Sequence, residues 1–226
     1  MKGALSAVAR RIAACGLIPI IRFDRLEQAE KIVAALWAAK VDIVEFPMTS
    51  PLALKAIEKI SDALGDSMVV GAGTVLDAKT ARTCMLAGAR FIVSPCVNTT
   101  VISACRRKET VVCPGALTPT EVAAAWEAGA DFVKVFPCNS VGGAAYIASL
   151  KTPLPHLAMV PVGGVTADNA GDFIRAGSAA LGVGAGLVDK ETLFLGHYEK
   201  VTRKAGRFVR AVAVARKTLP AEADRL

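Results

Sequence analysis

The chain has 226 residues, of which 53% are hydrophobic, and a formal net charge of +7. That length suits one domain with a full core, a size that α/β barrels commonly reach, and charges interrupt each apolar stretch before it attains the ~18 residues of a membrane span. The charge excess gathers near the C-terminus without a recognition motif or a run of stacking aromatics, which argues against nucleic acid as a partner; the lack of a spanning stretch argues against a membrane.

Residues 1–11, Met1-Lys2-Gly3-Ala4-Leu5-Ser6-Ala7-Val8-Ala9-Arg10-Arg11, are too broken by charge for a signal peptide. They read as an amphipathic lead-in helix, and the cytoplasm is the expected compartment. Short β-rich runs then recur at 17–22, 41–46, 67–72, 90–94, 110–113, 131–136, 157–162 and 179–183. Alanine-rich helical patterns fill the intervals at 27–39, 51–64, 78–87, 99–108, 120–128, 144–150 and 167–176. Several end in Gly immediately before a strand, as at Gly88, Gly129 and Gly177, which reads as a helix C-cap. A last helix interleaves Tyr198, Val201, Ala205, Phe208 and Val212 with Lys200, Arg203, Lys204, Arg207 and Arg210, giving an apolar stripe and a solvated basic face.

Eight strands alternating with helices, with no linker or low-complexity tract, predict an α/β chain folded as a single-domain (β/α)8 TIM barrel over residues 1–226. An open doubly wound sheet is the alternative, but no Gly-x-Gly-x-x-Gly turn follows the first strand. The six cysteines form no Cys-x-x-Cys pair, so reduced thiols are expected. With only His156 and His197 available, a multi-histidine metal site is hard to assemble, and neither a metal nor another cofactor is expected.

In such barrels the chemistry sits at the C-terminal ends of the strands. Lys134 lies in the sixth run, Phe132-Val133-Lys134-Val135-Phe136, where period two puts Phe132, Lys134 and Phe136 on one face and both faces look buried. Burial lowers a lysine's pKa and makes it a nucleophile for Schiff-base formation. Snorkelling, or pairing with a carboxylate, is the bland reading. Glu45, in Val44-Glu45-Phe46, is the second position, a carboxylate near the same end that could shuttle protons around an imine or simply form a salt bridge with Lys134. Glycine-rich strand 3, ending Gly71-Ala72-Gly73-Thr74, would leave space between them.

The third feature is the pair of glycine loops after strands 7 and 8, Val162-Gly163-Gly164 and Gly182-Val183-Gly184-Ala185-Gly186. Glycines there let backbone N–H groups approach a phosphate, or merely form turns. Arg22 at the end of strand 1 could hold a carboxylate or phosphate, or lie exposed. Thr74 could bind substrate or cap the next helix.

These residues, in this order, resemble the class I aldolases of 2-keto-3-deoxy-6-phosphogluconate, 2-keto-3-deoxy-6-phosphogalactonate and 4-hydroxy-2-oxoglutarate. The resemblance covers residues 17–188 and rests on Glu45-Phe46-Pro47-Met48-Thr49-Ser50-Pro51, Gly71-Ala72-Gly73-Thr74, Val93-Ser94-Pro95, Cys113-Pro114-Gly115, Val133-Lys134-Val135-Phe136-Pro137 and Pro161-Val162-Gly163-Gly164. It implies that Lys134 forms the Schiff base and Glu45 is the general acid/base. It also implies that Thr74, Pro95 and Phe136 line a pyruvate pocket, that Gly163, Gly164, Gly184 and Ala185 hold the phosphate, and that the chain forms homotrimers.

Three positions depart from the family pattern. Many members have arginine where Thr49 stands, contacting the substrate carboxylate, which leaves that contact to Arg22 or to backbone. The serine often found in the strand 8 loop is replaced by Ala185 and Gly186. Val162 stands where the phosphogluconate branch commonly has threonine, and leans toward the phosphogalactonate branch.

The expected activity is cleavage of a phosphorylated keto sugar acid to pyruvate and D-glyceraldehyde 3-phosphate. The alternatives are cleavage of 4-hydroxy-2-oxoglutarate to pyruvate and glyoxylate, a phosphate-binding barrel epimerase or synthase, and a non-catalytic barrel that binds sugar acids.

Overall fold

In the computed structural model, which describes residues 6–219, every strand pairing is parallel and the last strand returns to the first. The strands are β1 (Leu17–Pro19), β2 (Ile43–Pro47), β3 (Val69–Gly73), β4 (Phe91–Val93), β5 (Val111–Cys113), β6 (Gly115–Ala116), β7 (Val133–Val135), β8 (Met159–Pro161) and β9 (Leu181–Val183). β1 pairs with β9 from Leu17↔Leu181 to Pro19↔Val183, and single bridges join Ile20 to Glu45 and Val162 to Gly182. The sheet therefore closes on itself as the expected barrel.

Nine strand segments make eight staves because β5 and β6 are halves of one, divided at Pro114. A proline has no N–H for a ladder bond. Its carbonyl still accepts from the Lys134 N–H at 2.9 Å. The lower half is in ladder register with β4 and the upper half with β7, and the Phe132 N–H also donates to the Val112 carbonyl, so the stave lies between those two neighbours along its length.

The helices α1 (Ala7–Cys15), α2 (Leu26–Ala38), α3 (Ala53–Leu64), α4 (Ala78–Leu86), α5 (Thr99–Arg106), α6 (Pro119–Glu127), α7 (Ala144–Lys151), α8 (Ala170–Arg175), α9 (Lys190–Leu195) and α10 (Tyr198–Lys217) complete the order. Their starts carry side-chain caps where the sequence supplies them. Asp77 accepts from the Thr80 N–H at 2.8 Å, Asn98 from those of Thr100 and Val101, and Asp189 from that of Thr192 at 2.7 Å. The predicted C-cap glycines Gly88, Gly129 and Gly177 all have positive φ, the conformation that Gly adopts without a Cβ penalty.

Period two divides the core into two layers. Leu17, Val44, Phe46, Val70, Ala72, Ile92, Val112, Val133, Val135, Met159, Leu181 and Val183 face outward and are buried under the helices. Ile18, Ile43, Val69, Phe91, Val93, Val111, Cys113, Phe132, Ala158 and Val160 fill the barrel, joined by Ala9 and Ile12 of α1. The lead-in helix thus plugs the N-terminal end of the barrel and leaves the opposite end as its mouth. Burying one large side chain such as Phe91 or Phe132 contributes roughly 1.5–3 kcal/mol, and both are essentially inaccessible.

The structure differs from the sequence reading in a few places. The lead-in helix starts at Ala7 after a Ser6 cap and runs on to Cys15, while the first five residues of the predicted span lie outside the described residues. Strand 3 begins at Val69 rather than at 67, because Gly65–Ser67 is a 3-10 turn whose Ser67 carbonyl accepts from Arg11. The short helix α9 has no counterpart among the predicted elements. Among the described residues no helix is long and apolar enough to cross a membrane.

Candidate active site

Glu45 and Lys134 both point into the barrel at its mouth. Glu45 sits on β2 in register with Gly71 of β3, and Lys134 sits on β7 in register with Gly115 and Val160. Those are the second and sixth of eight staves, so the two residues face each other across the barrel. Glu45 is 3% exposed and Lys134 is 7% exposed. No hydrogen bond or ion pair joins them among the described residues, which sets aside the structural salt bridge and leaves both head groups open to a third party.

Burial pushes the Glu45 carboxyl above its ordinary value, and the positive charges of Lys134 and Arg22 offset that rise only in part. A carboxyl in that position holds its proton nearer neutrality than an exposed glutamate does, as a proton shuttle requires. Cys113 lies within the same field. Burial drives its thiol well up, so it remains a neutral wall group.

The glycines of strand 3 do not leave empty space. A Cβ at Gly71 would fall 2.3 Å from the Phe91 ring, and one at Gly73 would fall 1.8 Å from Oε1 of Glu45. Their missing side chains are filled by a core ring below and by the catalytic candidate above. Gly115, beside Lys134, has the same role toward Pro95, whose carbonyl oxygen would lie 2.2 Å from a Cβ there. The Pro95 backbone can therefore come up against the β7 side of the mouth.

Phe136 corrects the expectation that its whole face is buried. It is 38% exposed, and its ring centroid lies 4.7 Å from Lys134 Nζ. It has passed the end of β7 and lies over the ammonium group at the rim, a cation–π contact that leaves the ring available to substrate. Thr74 is half-buried with φ +56°, a rare conformation for a β-branched residue. It does not cap α4, whose cap is Asp77.

The glycine loops adjoin on the β8–β9 side. Gly163 and Gly164 have φ +100° and +71°, and a Cβ on Gly164 would fall 2.5 Å from Asn139 Cβ. Asn169 fastens this turn, donating from Nδ2 to the Gly164 carbonyl at 2.9 Å and accepting from the Thr166 N–H at 2.8 Å. The backbone N–H groups of Gly164, Gly184, Ala185 and Gly186 have no acceptor among the described residues. Arg22 approaches the same place, its Nη1 standing 3.4 Å from where a Gly184 Cβ would be. Several free donors and a guanidinium facing one gap can hold an anion. Helix α8 has only six residues, beginning at Ala170, so the loop N–H groups rather than a helix dipole carry this site. Val162 is half-buried at the same rim, bridged to Gly182.

Thr49 is exposed and lines, with Arg22, Arg25, Ser50, Lys190 and Phe194, a cleft of ≈ 850 Å³ outside the mouth. Two residues around these sites escaped the sequence reading. Gln28 closes the floor of this cleft, and its signal was a Gln three residues into a helical pattern, the position that reaches back to free N–H groups. Asn139 covers the Gly163-Gly164 turn, and its signal was a polar residue just past a strand end.

A family model described as "Aldolase: KDPG and KHG aldolase" matches residues 8–204. The 2-dehydro-3-deoxy-6-phosphogalactonate aldolase of Escherichia coli K12 is 38% identical over 196 residues, covering 86% of this chain and 93% of that protein. Among solved structures, one described as native KDPGal has a TM-score of 0.83 at 36% identity, covering 89% of this chain and 96% of the other. The KDPG aldolase of Legionella pneumophila, captured with pyruvate as a covalent carbinolamine, has a TM-score of 0.82 at 26% identity, covering 89% and 97%. The model match spans most of the chain and the Escherichia coli relative nearly all of its own length, and the chain belongs to the KDPG and KHG aldolase family.

Proposed function

We propose that the protein is a Schiff-base aldolase that splits a 2-keto-3-deoxy-6-phosphoaldonate into pyruvate and D-glyceraldehyde 3-phosphate, with Lys134 as nucleophile and Glu45 as general acid and base. The observation that carries this reading is the pair itself, a buried amine and a carboxyl held above its ordinary value, facing each other across the barrel without a hydrogen bond or ion pair between them among the described residues.

Lys134 Nζ adds to the C2 carbonyl, and the carbinolamine loses its hydroxyl as water after Glu45 gives it a proton. The resulting iminium is the electron sink. Glu45, now a carboxylate, takes the C4 hydroxyl proton, the C3–C4 bond breaks, and the aldehyde leaves while the bond's electrons form an enamine. Protonation at C3 and hydrolysis of the imine release pyruvate and restore the amine. Phe136, Thr74 and Pro95 enclose the pyruvate part. Arg22, the Gly163-Gly164 turn and the N–H groups at Gly184 and Ala185 take the phosphate, and Thr49 lies on the approach.

Borohydride reduction in the presence of pyruvate, followed by peptide mapping, tests the nucleophile. The expected adduct is on Lys134, and an adduct elsewhere, or none, sinks the assignment. By the family resemblance the chain assembles as a homotrimer, which sedimentation equilibrium checks.

The C4 epimer is the galactonate type on this reading, since Val162 departs from the gluconate pattern and the Escherichia coli relative carries the phosphogalactonate name. A panel of the two phosphosugar acids and 4-hydroxy-2-oxoglutarate, compared by kcat/KM, decides it. A second reading, 4-hydroxy-2-oxoglutarate cleavage, gains from Ala185 in place of a phosphate-binding serine, and the same panel separates it.

A further inference from the structure

The cleft outside the mouth is lined by three parts of the chain, one of them Thr49, Ser50 and Pro51 after β2. The other two are the β1–α2 loop, Arg22 to Arg25, and α9, which follows the β9 loop. Gln28 joins them. Its side chain is buried, with the residue 5% exposed. Its Oε1 accepts from the N–H groups of Asp24 and Arg25, both at 3.0 Å, and its Nε2 donates to the Leu193 carbonyl at 3.2 Å. Each end of the amide therefore has a partner, and the two ends hold different walls.

We propose that Gln28 is a positioning residue for the phosphate end of the substrate, acting through Arg22 and the β9 loop; this rests on the phosphosugar reading above. The Oε1 end fixes the backbone two and three residues after Arg22, whose guanidinium lies at Gly184. The Nε2 end fixes α9, and so the end of the loop from Gly184 to Val188 that offers the free N–H groups. Only an amide can do both. A carboxylate at position 28 would keep the two acceptor bonds and the start of α2, as glutamate does at this helix position in general. It would lose the donor toward Leu193 and face that carbonyl with like polarity. The clasp would open while the cap survived.

Gln28→Glu and Gln28→Ala separate these parts. In Gln28→Glu the KM for the phosphorylated substrate rises about three- to tenfold, the scale of one lost buried hydrogen bond, while its kcat stays within about twofold and the KM for 4-hydroxy-2-oxoglutarate does not move. Gln28→Ala loses the cap as well and shows the same rise with a lower Tm. Calorimetric titration of inorganic phosphate into the wild-type and Gln28→Glu proteins reads the clasp without turnover and should show a comparable loss of affinity. Equal effects on both substrates, or unchanged phosphate affinity in a folded Gln28→Glu protein, overturn the proposal. If the wild-type protein cleaves no phosphosugar acid, the proposed function fails, and the phosphate titration still decides the role of Gln28.

Discussion

The Glu45 carboxyl occupies the place that a side chain at Gly73 would need, with Oε1 only 1.8 Å from the ideal Cβ position. β2 and β3 are in register through this pair's neighbours, Glu45↔Gly71 and Pro47↔Gly73, so neither backbone can shift to make room. Gly73→Ala should therefore turn Glu45 away from the mouth. The expected result is a fall in kcat of about 10²-fold or more, the scale of general acid/base catalysis, with a stability loss of about 1–3 kcal/mol from overpacking. Steady-state kinetics beside thermal unfolding check it, and a kcat within threefold of wild type would refute this account of Gly73.

Glu45 also links activity to pH. Its folded-state value is raised by burial, so between the unfolded and folded values the native protein binds the extra proton. The stability tied to that proton is fully present below the unfolded value, about pH 4 for a glutamate, and is lost as pH rises through the folded value. Glu45→Gln removes the titration. Its stability should gain on wild type as pH rises from about 4 toward neutrality, while its kcat falls about 10²- to 10⁴-fold. Urea melts of both proteins across that range test the sign. A stability difference that stays flat with pH would show that Glu45 is not held above its ordinary value.

Much of this site was legible because strand periodicity and loop glycines are local signals. Lys134 and Glu45 each announced themselves as charges inside apolar β runs, and the barrel rule placed them at one end. What escaped were relationships between distant segments. That Gly71 and Gly73 are bare to admit Phe91 and Glu45 depends on strand register. That Phe136 leaves the buried face depends on β7 ending at Val135. Gln28 meets Leu193 across 165 positions of sequence, and no pattern within either segment names the other.

Thr74 holds a left-handed backbone at the mouth, with φ +56°. That conformation costs an L-residue roughly 1–2 kcal/mol, which glycine avoids. Thr74→Gly and Thr74→Ala both lose the hydroxyl, but only the glycine variant relieves the backbone. The glycine protein should melt about 2–4 °C above the alanine one, for a difference of about 1 kcal/mol, while both bind pyruvate more weakly than wild type. Equal melting temperatures would mean that the left-handed turn carries no cost.

Ala185 offers a gain-of-function test of the anion site. It is exposed in the β9 loop between Gly184 and Gly186, where three successive N–H groups lack acceptors. A serine there adds a hydroxyl donor to the gap already faced by Arg22 and the Gly163-Gly164 turn, with no buried neighbour to displace. One more hydrogen bond to a charged group stabilises binding by about 1.5–3 kcal/mol at best, and rotamer ordering takes part of that. Ala185→Ser should lower KM for the phosphorylated substrate about three- to tenfold and leave the KM for 4-hydroxy-2-oxoglutarate unchanged, because that substrate has no phosphate to meet the hydroxyl. The comparison separates a phosphate contact from a general change in the mouth, since the latter would move both constants together. An Ala185→Ser protein with unaltered KM for every substrate would place the phosphate away from the β9 loop and return the role of Arg22 to the substrate carboxylate.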